Sequence, residues 1–258
     1  MQLEQRRCRT QRCPLCNEEQ DVIVNGWEDS KDTGKGYRDV TISEEKGYSF
    51  CNCRNILFTS WSNISQEIYD ASYTNRYDSK QTEKALSKYL TYLPIIQNNT
   101  KGKDLLEIGC INPVILDGFK LAGYNTYALD IIEHKFVGHG NLTGNFETID
   151  LQKKFDVIWA SHIFEHFKDP ISAVGKCSDL LNKDGLLFVA MPDPYFIDWK
   201  VNPYQWGHWH LKEHHILWDM ASFCNVLKEK GFEIIFAKRN FGGDFICVTD
   251  MHILAKRV

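Results

Sequence analysis

Short apolar runs alternate with amphipathic segments along the chain from about residue 101 onward. The runs predict strands at 104–108, 125–130, 144–149, 155–160, 185–191, 232–239 and 245–255, of which 144–149 has the weakest pattern. Helical segments lie between most of them, and this alternation is typical of a parallel sheet with helices on both faces. The last two runs flank a turn at 240–244 and predict a terminal hairpin.

Residues 61–100 have a different pattern. Apolar residues recur at helical spacing, as at Ile64 and Ile68 and again at Leu86 and Leu90, so two helices are predicted on either side of the tyrosine-rich YTNRYDS. We therefore expect a small module over 1–60, a helical lid or linker over 61–100, and an α/β domain over 101–258.

Residues 104–130 predict a nucleoside-binding half-unit. A strand carries Glu107 and ends at Gly109, a turn opens a helix, and the next strand ends at Asp130. An acidic residue about twenty positions after the glycine turn is where a βαβ unit holds a ribose. The turn keeps only Gly109 where a dinucleotide site needs three glycines, so a cofactor with a ribose but no pyrophosphate fits better than NAD. S-adenosylmethionine is the candidate.

The chain resembles the class I S-adenosylmethionine-dependent methyltransferases in four segments that occur in the family's order. They are residues 104–130, 155–170 (FDVIWASHIFEHFKDP), 180–194 (LLNKDGLLFVAMPDP) and 227–235 (LKEKGFEII). The similarity is to the branch that includes ubiquinone-biosynthesis O-methyltransferases and other small-molecule and sugar methyltransferases. It implies an enzyme with a Rossmann-like, doubly wound, mostly parallel seven-stranded sheet whose last strand is reversed, here joined to a zinc-ribbon-like N-terminal module.

The resemblance also implies a cofactor pocket beyond the carboxyl ends of the strands. Asp130 would bind the ribose hydroxyls, Asn145 and Phe146 would bind the adenine, and Ser161 and His162 would lie near the methionine moiety. The expected cofactor-binding residues are Glu107, Gly109, Cys110, Asp130, Ile131, Asn145, Phe146, Ala160 and Ser161. In the family the turn is usually Glu-x-Gly-x-Gly, and Ile111 replaces the second glycine here, so its side chain would crowd the amino-acid end of the cofactor unless the loop bulges.

His162, Glu165 and His166 follow the strand at 155–160 and share one face if a helical turn begins there. Related enzymes carry Glu-x-x-Glu-His at this place, and some hold a divalent ion with it. His162 replaces the first glutamate, which argues against a hard cation such as magnesium. The alternative is metal-free, with a histidine taking a proton from the acceptor hydroxyl. A third interpretation is that Glu165 and His166 only hold the loop together.

A histidine-rich stretch at 202–220 supplies further candidates. In the family this insertion forms the substrate wall. Flat apolar surfaces on which a ring or sugar can dock are offered by Trp206, Trp209 and Trp218 with Tyr195 and Tyr204. His208 joins His162, Glu165 and His166 as the fourth predicted catalytic residue. Other candidate bases or ligands are His210, Glu213, His214 and His215.

The cysteines at the N-terminus predict a structural zinc ribbon. Cys13 and Cys16 form one pair, Cys51 and Cys53 the other, and four thiolates give the tetrahedral site that zinc favours. The second pair is Cys-x-Cys rather than Cys-x-x-Cys, so Cys8 could replace one ligand; alternatively, the metal has been lost and the thiols only pack. All-cysteine ligation leaves no open position, so a stabilising role is expected.

The composition, 43% hydrophobic and 25% charged, is that of a globular protein. The formal net charge of −4 argues against a nucleic-acid or anionic-membrane partner. No apolar run approaches the roughly 20 residues that cross a bilayer, and MQLEQRRCRTQRC lacks the apolar core of a signal peptide. We expect a cytoplasmic protein; the sequence predicts no oligomeric state.

These observations predict S-adenosylmethionine-dependent methyl transfer to a small molecule or sugar, with a hydroxyl as the first choice of acceptor. Two alternatives remain. One is a binding or scaffold protein whose altered glycine turn has abolished turnover, and the other is a methyltransferase that acts on RNA or protein.

Overall fold

A computed structural model of the protein describes residues 10–32, 38–60, 79–195, 208–241 and 249–258. The strands are β1 (Thr10–Arg12), β2 (Glu19–Asp32), β3 (Arg38–Cys51), β4 (Ile56–Phe58), β5 (Asp104–Ile108), β6 (Asn125–Asp130), β7 (Gly140–Thr143), β8 (Phe155–Ser161), β9 (Leu181–Pro192), β10 (Ile216–Trp218), β11 (Phe232–Phe241) and β12 (Thr249–Arg257). The α-helices are α1 (Ser79–Asn99), α2 (Val114–Leu121), α3 (Pro170–Leu180) and α4 (Met220–Glu229).

Seven strands form the large sheet, in the order β7-β6-β5-β8-β9-β12-β11. The strands from β7 to β9 are parallel, whereas β12 is antiparallel to both of its neighbours. This arrangement confirms the predicted doubly wound, mostly parallel sheet with a reversed last strand. Ile108 of β5 pairs with Leu129 of β6 and with Ala160 of β8, so these three strands end level with one another.

Alternating side chains of β8 explain why helices cover both faces of the sheet. Val157 and Trp159 pack with buried residues of α1 and α2 on one face, and Ile158 and Ala160 pack with those of α3 and α4 on the other. Because both faces are buried, the strand is apolar at nearly every position rather than at every second one.

Sequence signals at the helix ends fix where two of these helices begin. Asp169 caps α3 by accepting a hydrogen bond of 3.0 Å from the backbone nitrogen of Ser172, with Pro170 at the first helical position. Asp219 caps α4 through the backbone nitrogen of Ser222, also at 3.0 Å.

The predicted strand at 144–149 was wrong. The third parallel strand is β7 (Gly140–Thr143), and the chain turns immediately after it. Gly144 has a φ of +151°, and the Asn145 side chain accepts a hydrogen bond of 2.8 Å from the backbone nitrogen of Glu147. An asparagine that caps its own turn in this way competes with the strand conformation.

A second, antiparallel sheet has the order β1-β2-β3-β4-β10. Its fifth strand, Ile216–Trp218, comes from the histidine-rich stretch and pairs with Ile56–Phe58. This pairing was not predicted, because three apolar residues are too short a run to identify a strand. The small sheet is therefore built from two distant parts of the chain, the N-terminal strands β1 to β4 and the strand β10.

The predicted helices of residues 61–100 are described only in part. The second is α1, which starts at Ser79. The first lies outside the described residues, as do Cys8 and residues 242–248. Of the predicted turn at 240–244, Asn240 and Phe241 belong instead to β11, and the rest lies outside the described residues. Among the helices that the structure describes, none combines the length and the apolar composition that a bilayer crossing needs.

Candidate functional site

The glycine turn follows β5 and is closed by backbone contacts to β6. Gly109 has a φ of +74°, a conformation that favours glycine, and its backbone nitrogen donates to the Leu129 carbonyl at 2.8 Å. A Cβ atom at Gly109 would lie only 3.0 Å from Cδ1 of Ile163, so the Ile163 side chain packs closely on this glycine. Ile111, which stands where the family has its second glycine, is partly buried.

Glu107 lies beneath this turn and is almost completely buried. Its Oε2 has no hydrogen-bond partner among the described residues. Burial raises the pKa of Glu107 to about 8, and the thiol of Cys110 and the ammonium of Lys88 oppose that rise only in part. The cofactor-binding candidates Glu107 and Cys110 are thus neighbours.

Asp130 ends β6 next to the glycine turn. Its Oδ1 accepts a hydrogen bond of 2.8 Å from the backbone nitrogen of Ile132, and His134 Nε2 lies 3.9 Å from the same oxygen. Burial raises the pKa of Asp130 despite these groups. Ile131, the neighbouring candidate, is 43% exposed. The carboxylate therefore stands at the tip of the strand, where the spacing predicted it.

The two adenine candidates occupy different environments. The Asn145 side chain stabilises its own turn by accepting the hydrogen bond from the Glu147 backbone nitrogen. Phe146 is buried, and its ring stacks on Phe167 with centroids 5.6 Å apart. The ring of Phe146 therefore belongs largely to the core beneath this edge of the sheet.

The end of β8 meets helix α1. Ala160 is fully buried, and the Ser161 hydroxyl accepts a hydrogen bond of 3.1 Å from Lys88 Nζ. The same ammonium lies 3.7 Å from Asp250 Oδ2 on β12. Neither Lys88 nor Asp250 was predicted, because they come from distant parts of the chain and carry no motif.

His162 has a φ of +55° and lies between two carboxylates. Its Nε2 is 3.0 Å from Asp250 Oδ2, and its Nδ1 is 3.4 Å from Glu165 Oε1. Burial lowers the pKa of His162, but the charge of Asp250, the hydrogen bond to it and the nearby Glu165 carboxylate outweigh burial and raise the pKa to about 9. Both ring nitrogens therefore face acidic groups of the protein.

Glu165 and His166 lie in a short 3-10 helix, Phe164–His166, beside the histidine loop 208–215. The His166 and His214 rings meet edge to face with centroids 5.0 Å apart, and His208 stacks between His162 and His214, at 6.2 Å and 5.7 Å. Burial, with the charges of the neighbouring histidines, holds the pKa of His214 well below its usual range. All four predicted catalytic residues thus lie in one cluster.

This cluster does not offer a hard divalent ion the ligands that Glu-x-x-Glu-His would offer it. The first glutamate is His162, and both of its ring nitrogens already face carboxylates. Magnesium prefers oxygen ligands, and of the three motif residues only Glu165 supplies them. Glu165, His166 and His214, by contrast, each offer one ligand atom, and these atoms all lie within 4.8 Å of one another.

The small sheet supports the histidine loop. The buried hydroxyl of Tyr48 donates to the carbonyls of His210 and His214 at 3.1 Å and 2.9 Å. Trp209 packs against the Tyr48 ring, and it is fully buried, as is Trp218. The expectation of a docking surface was therefore wrong for these two tryptophans. Trp209 belongs to the apolar cluster between the loop and the small sheet, and Trp218 belongs to the core of the large domain. Tyr204 and Trp206 lie outside the described residues.

The four predicted zinc ligands come together at one end of the small sheet. Cys13 Sγ lies 3.7 Å from Cys53 Sγ, and Cys16 Sγ lies 3.5 Å from Cys51 Sγ. A tetrahedron with zinc–sulfur bonds of about 2.3 Å has edges of about 3.8 Å, close to these separations. Asn17 and Asn55 follow the two pairs with φ values of +63° and +48°, which tighten both turns. The sulfur positions fit a tetrahedral ion.

The sequence matches a model of the methyltransferase domain over residues 77–236, more than half of the chain. The ubiquinone biosynthesis O-methyltransferase of Actinobacillus pleuropneumoniae serotype 7 (strain AP76) is 28% identical over 118 residues, which cover 39% of this chain and 50% of the relative. The same-named protein of Haemophilus ducreyi (strain 35000HP / ATCC 700724) is 26% identical over 117 residues, covering 38% and 49%. The chain thus spans about half the length of the curated relatives it matches.

Solved structures show the same fold. Magnesium protoporphyrin IX methyltransferase from Synechocystis PCC 6803 with bound SAH superposes with a TM-score of 0.55 at 12% identity, over 75% of this chain and 98% of that one. An S-adenosylmethionine-dependent methyltransferase from Clostridium acetobutylicum ATCC 824 gives 0.52 at 13% identity, over 74% and 96%. The chain therefore belongs to the methyltransferase domain family and has the fold of the class I S-adenosylmethionine-dependent methyltransferases.

Proposed function

We propose that the protein transfers a methyl group from S-adenosylmethionine to a hydroxyl of a small molecule. One observation carries this proposal: β5, β6 and β8 end level, so that Glu107, Asp130 and Ser161 each lie within the last two residues of their strands, at the carboxyl edge of the sheet. Ligands of open α/β sheets bind at that edge. Asp130 would hold the ribose, and the turn at Gly109 would hold the amino-acid end.

S-adenosylmethionine, when bound, supplies an activated methyl group. The protein's contribution is then to align the acceptor and to exclude water. Lys88 fixes Ser161, and Asp250 with Glu165 fixes His162, so the wall beside the proposed methionine site is rigid. We propose His208 as the group that meets the acceptor hydroxyl, because both ring nitrogens of His162 face carboxylates.

A small hydroxylated acceptor is favoured by two observations. The relatives are named as O-methyltransferases of ubiquinone biosynthesis, which points to a ring hydroxyl. The net charge of −4 disfavours the anionic surface of RNA. A sugar hydroxyl is the second choice.

We further propose that Cys13, Cys16, Cys51 and Cys53 hold one structural zinc ion. The ion would join the turn after β1 to the turn after β3 and so stabilise the small sheet. Thiolate ligation needs reduced cysteines, which fits the proposed cytoplasmic location.

Transfer of a labelled methyl group tests the proposal. The full chain is incubated with methyl-labelled S-adenosylmethionine and four acceptor classes: polyhydroxylated aromatic compounds, sugars, RNA and denatured protein. We expect label in the aromatic class and none in RNA or protein. Binding of the cofactor without transfer to any class would favour the scaffold alternative, and label in RNA or protein would overturn the proposed acceptor.

A further inference from the structure

An ion pair between Asp193 and Arg239 lies at the carboxyl edge of the large sheet and has no role in the proposed cofactor site. Asp193 directly follows the β9 residue that pairs with Asp250, and Arg239 of β11 pairs with the β12 residue that follows Asp250. Asp250 in turn contacts His162, with 3.0 Å between Oδ2 and Nε2. The ion pair is therefore next to the candidate catalytic cluster along the same edge.

Asp193 holds the guanidinium of Arg239 at one side only. The carboxylate is fully buried, and both of its oxygens accept hydrogen bonds. Oδ1 accepts one of 3.0 Å from the backbone nitrogen of Tyr195, and Oδ2 accepts one from Nε of Arg239. Because a buried carboxylate without partners is costly, these two bonds fix its orientation and, through Nε, that of the guanidinium.

The opposite side of the guanidinium is open to solvent. The Arg239 side chain is 34% exposed, and within the described residues neither Nη1 nor Nη2 has a hydrogen bond or an ion pair. Neither atom is buried. Arg54 differs, because both of its Nη atoms bind the carboxylate of Glu229, at 2.7 Å and 2.9 Å. Arg239 thus presents an unfilled fork of the kind that Arg54 fills with a carboxylate.

Arg239 lies on the face of the sheet that carries the histidine loop. Residues directly opposite each other in an antiparallel pair point to the same face, and Arg239 is opposite Met251. Met251 packs in one core cluster with Phe164 and Trp218, which precede Glu165 and follow the loop. Lys88 reaches the edge from α1, on the other face. The fork is therefore on the side where we place the acceptor, and Lys88 is on the side of the cofactor.

We infer that the acceptor carries a carboxylate, which Arg239 binds through Nη1 and Nη2 while Asp193 positions the guanidinium. This inference rests on the proposed methyl transfer and narrows its acceptor to a hydroxylated carboxylic acid. Two parallel N–H bonds match the two oxygens of a carboxylate. The charges of Asp193 and of the nearby Asp219 favour a singly charged group over a phosphate dianion.

Calorimetry on the full chain saturated with S-adenosylhomocysteine tests this inference. The probes share one ring: catechol, protocatechuate, which adds a carboxylate, and the phosphonate analogue of protocatechuate. We expect protocatechuate to bind at least about ten times more tightly than catechol, and also more tightly than the phosphonate. Arg239→Lys should keep only part of this preference, because an ammonium group cannot present the fork. Lys238→Gln, the matched control at the neighbouring exposed position, should keep all of it.

A double variant covers the case in which a single variant fails to fold. Asp193→Asn with Arg239→Gln replaces the ion pair by two amides, so no buried charge is left unpaired. We expect this variant to bind S-adenosylhomocysteine as the wild type does and to bind protocatechuate no better than catechol.

Three results would overturn the inference while leaving the proposed methyl transfer in place. They are equal affinities of the wild type for protocatechuate and catechol, a preference for protocatechuate that survives in the double variant, and tighter binding of the phosphonate. Weaker binding of S-adenosylhomocysteine by the double variant would also count against it, since Arg239 would then serve the cofactor. No heat from S-adenosylhomocysteine with the wild type would instead overturn the proposed methyl transfer, and the inference with it.

Discussion

The carboxyl group of Glu107 is held neutral by burial, which gives the fold a specific pH dependence. The pKa of Glu107 is raised from 4.5 to about 8, so the native state binds more protons than the unfolded chain between these values. The contribution of the neutral carboxyl to stability is present below about pH 4.5 and is lost as the pH rises to about 8.

Replacing this acid should therefore remove part of the pH dependence. We expect Glu107→Gln to gain thermal stability relative to the wild type as the pH is raised from about 5 to about 8.5, because the amide cannot ionise. Melting temperatures at both pH values measure the gain. Glu133→Gln, at an exposed position, is the control and should show none. A Glu107→Gln effect of equal size at both pH values would contradict the account.

Tyr48 gives a second residue-scale prediction. Its hydroxyl donates to two carbonyls of the histidine loop, so Tyr48→Phe leaves them without this donor and should cost about 1–3 kcal/mol. Tyr124→Phe is the matched control, since the buried Tyr124 hydroxyl has no partner among the described residues. Denaturant unfolding of both variants measures the difference. Equal costs would show that the Tyr48 hydroxyl does not hold the loop.

Single residues at the strand ends were predictable from spacing, and their partners were not. Asp130 follows from its distance to Gly109, and His162 from its place after an apolar strand. Asp250 and Lys88 could be identified only from the structure, because β12 and α1 bring them to the end of β8 from distant parts of the sequence. No local pattern encodes such contacts.

At the scale of elements, the proposed zinc ligands and the strand β10 belong to the same small sheet. Cys13 and Cys51 anchor the turns at one end of the small sheet, and β10 closes that sheet on the other side of β4. The six strands β5, β6, β8, β9, β11 and β12 were recognisable from apolar runs. β10 was too short to recognise. β7 was predicted at 144–149 but lies at Gly140–Thr143, because the chain turns at Asn145.

Loss of the cysteine site should therefore destabilise the small sheet. We expect Cys13→Ser to lower the zinc content by one equivalent and the melting temperature by several degrees, since the staple is removed. Cys224→Ala, in helix α4, should keep the zinc content unchanged. Unaltered zinc content in Cys13→Ser, measured by elemental analysis, would contradict the proposed ligand set.

At the scale of the whole molecule, the strand β10 and a surface ion pair connect the small sheet to the large domain. β10 leaves the large domain to pair with β4, and Arg54 forms a bidentate ion pair with Glu229 of α4 at 2.7 Å and 2.9 Å. The overall sheet order was predictable because the family resemblance covers it. The shared small sheet was not, because nothing in the sequence of β4 specifies its partner.

This sharing predicts cooperative unfolding. We expect far-UV circular dichroism and tryptophan fluorescence to report one transition. Trp159 lies in the large sheet, Trp209 packs against the small sheet, and Trp218 of β10 belongs to the core of the large domain. Two separated transitions would show that the module over 1–60 unfolds independently.

Calorimetry with S-adenosylmethionine tests the central claim most directly, because the proposed methyl transfer depends on Asp130 holding the ribose of the cofactor. The wild type should bind with measurable heat, and Asp130→Asn should bind at least ten times more weakly, a loss of about 1.4 kcal/mol or more. Asp184→Asn, at an exposed position whose φ of +63° an asparagine tolerates, should bind as the wild type does. Equal affinity of the wild type and Asp130→Asn, or no heat from the wild type, would contradict the account.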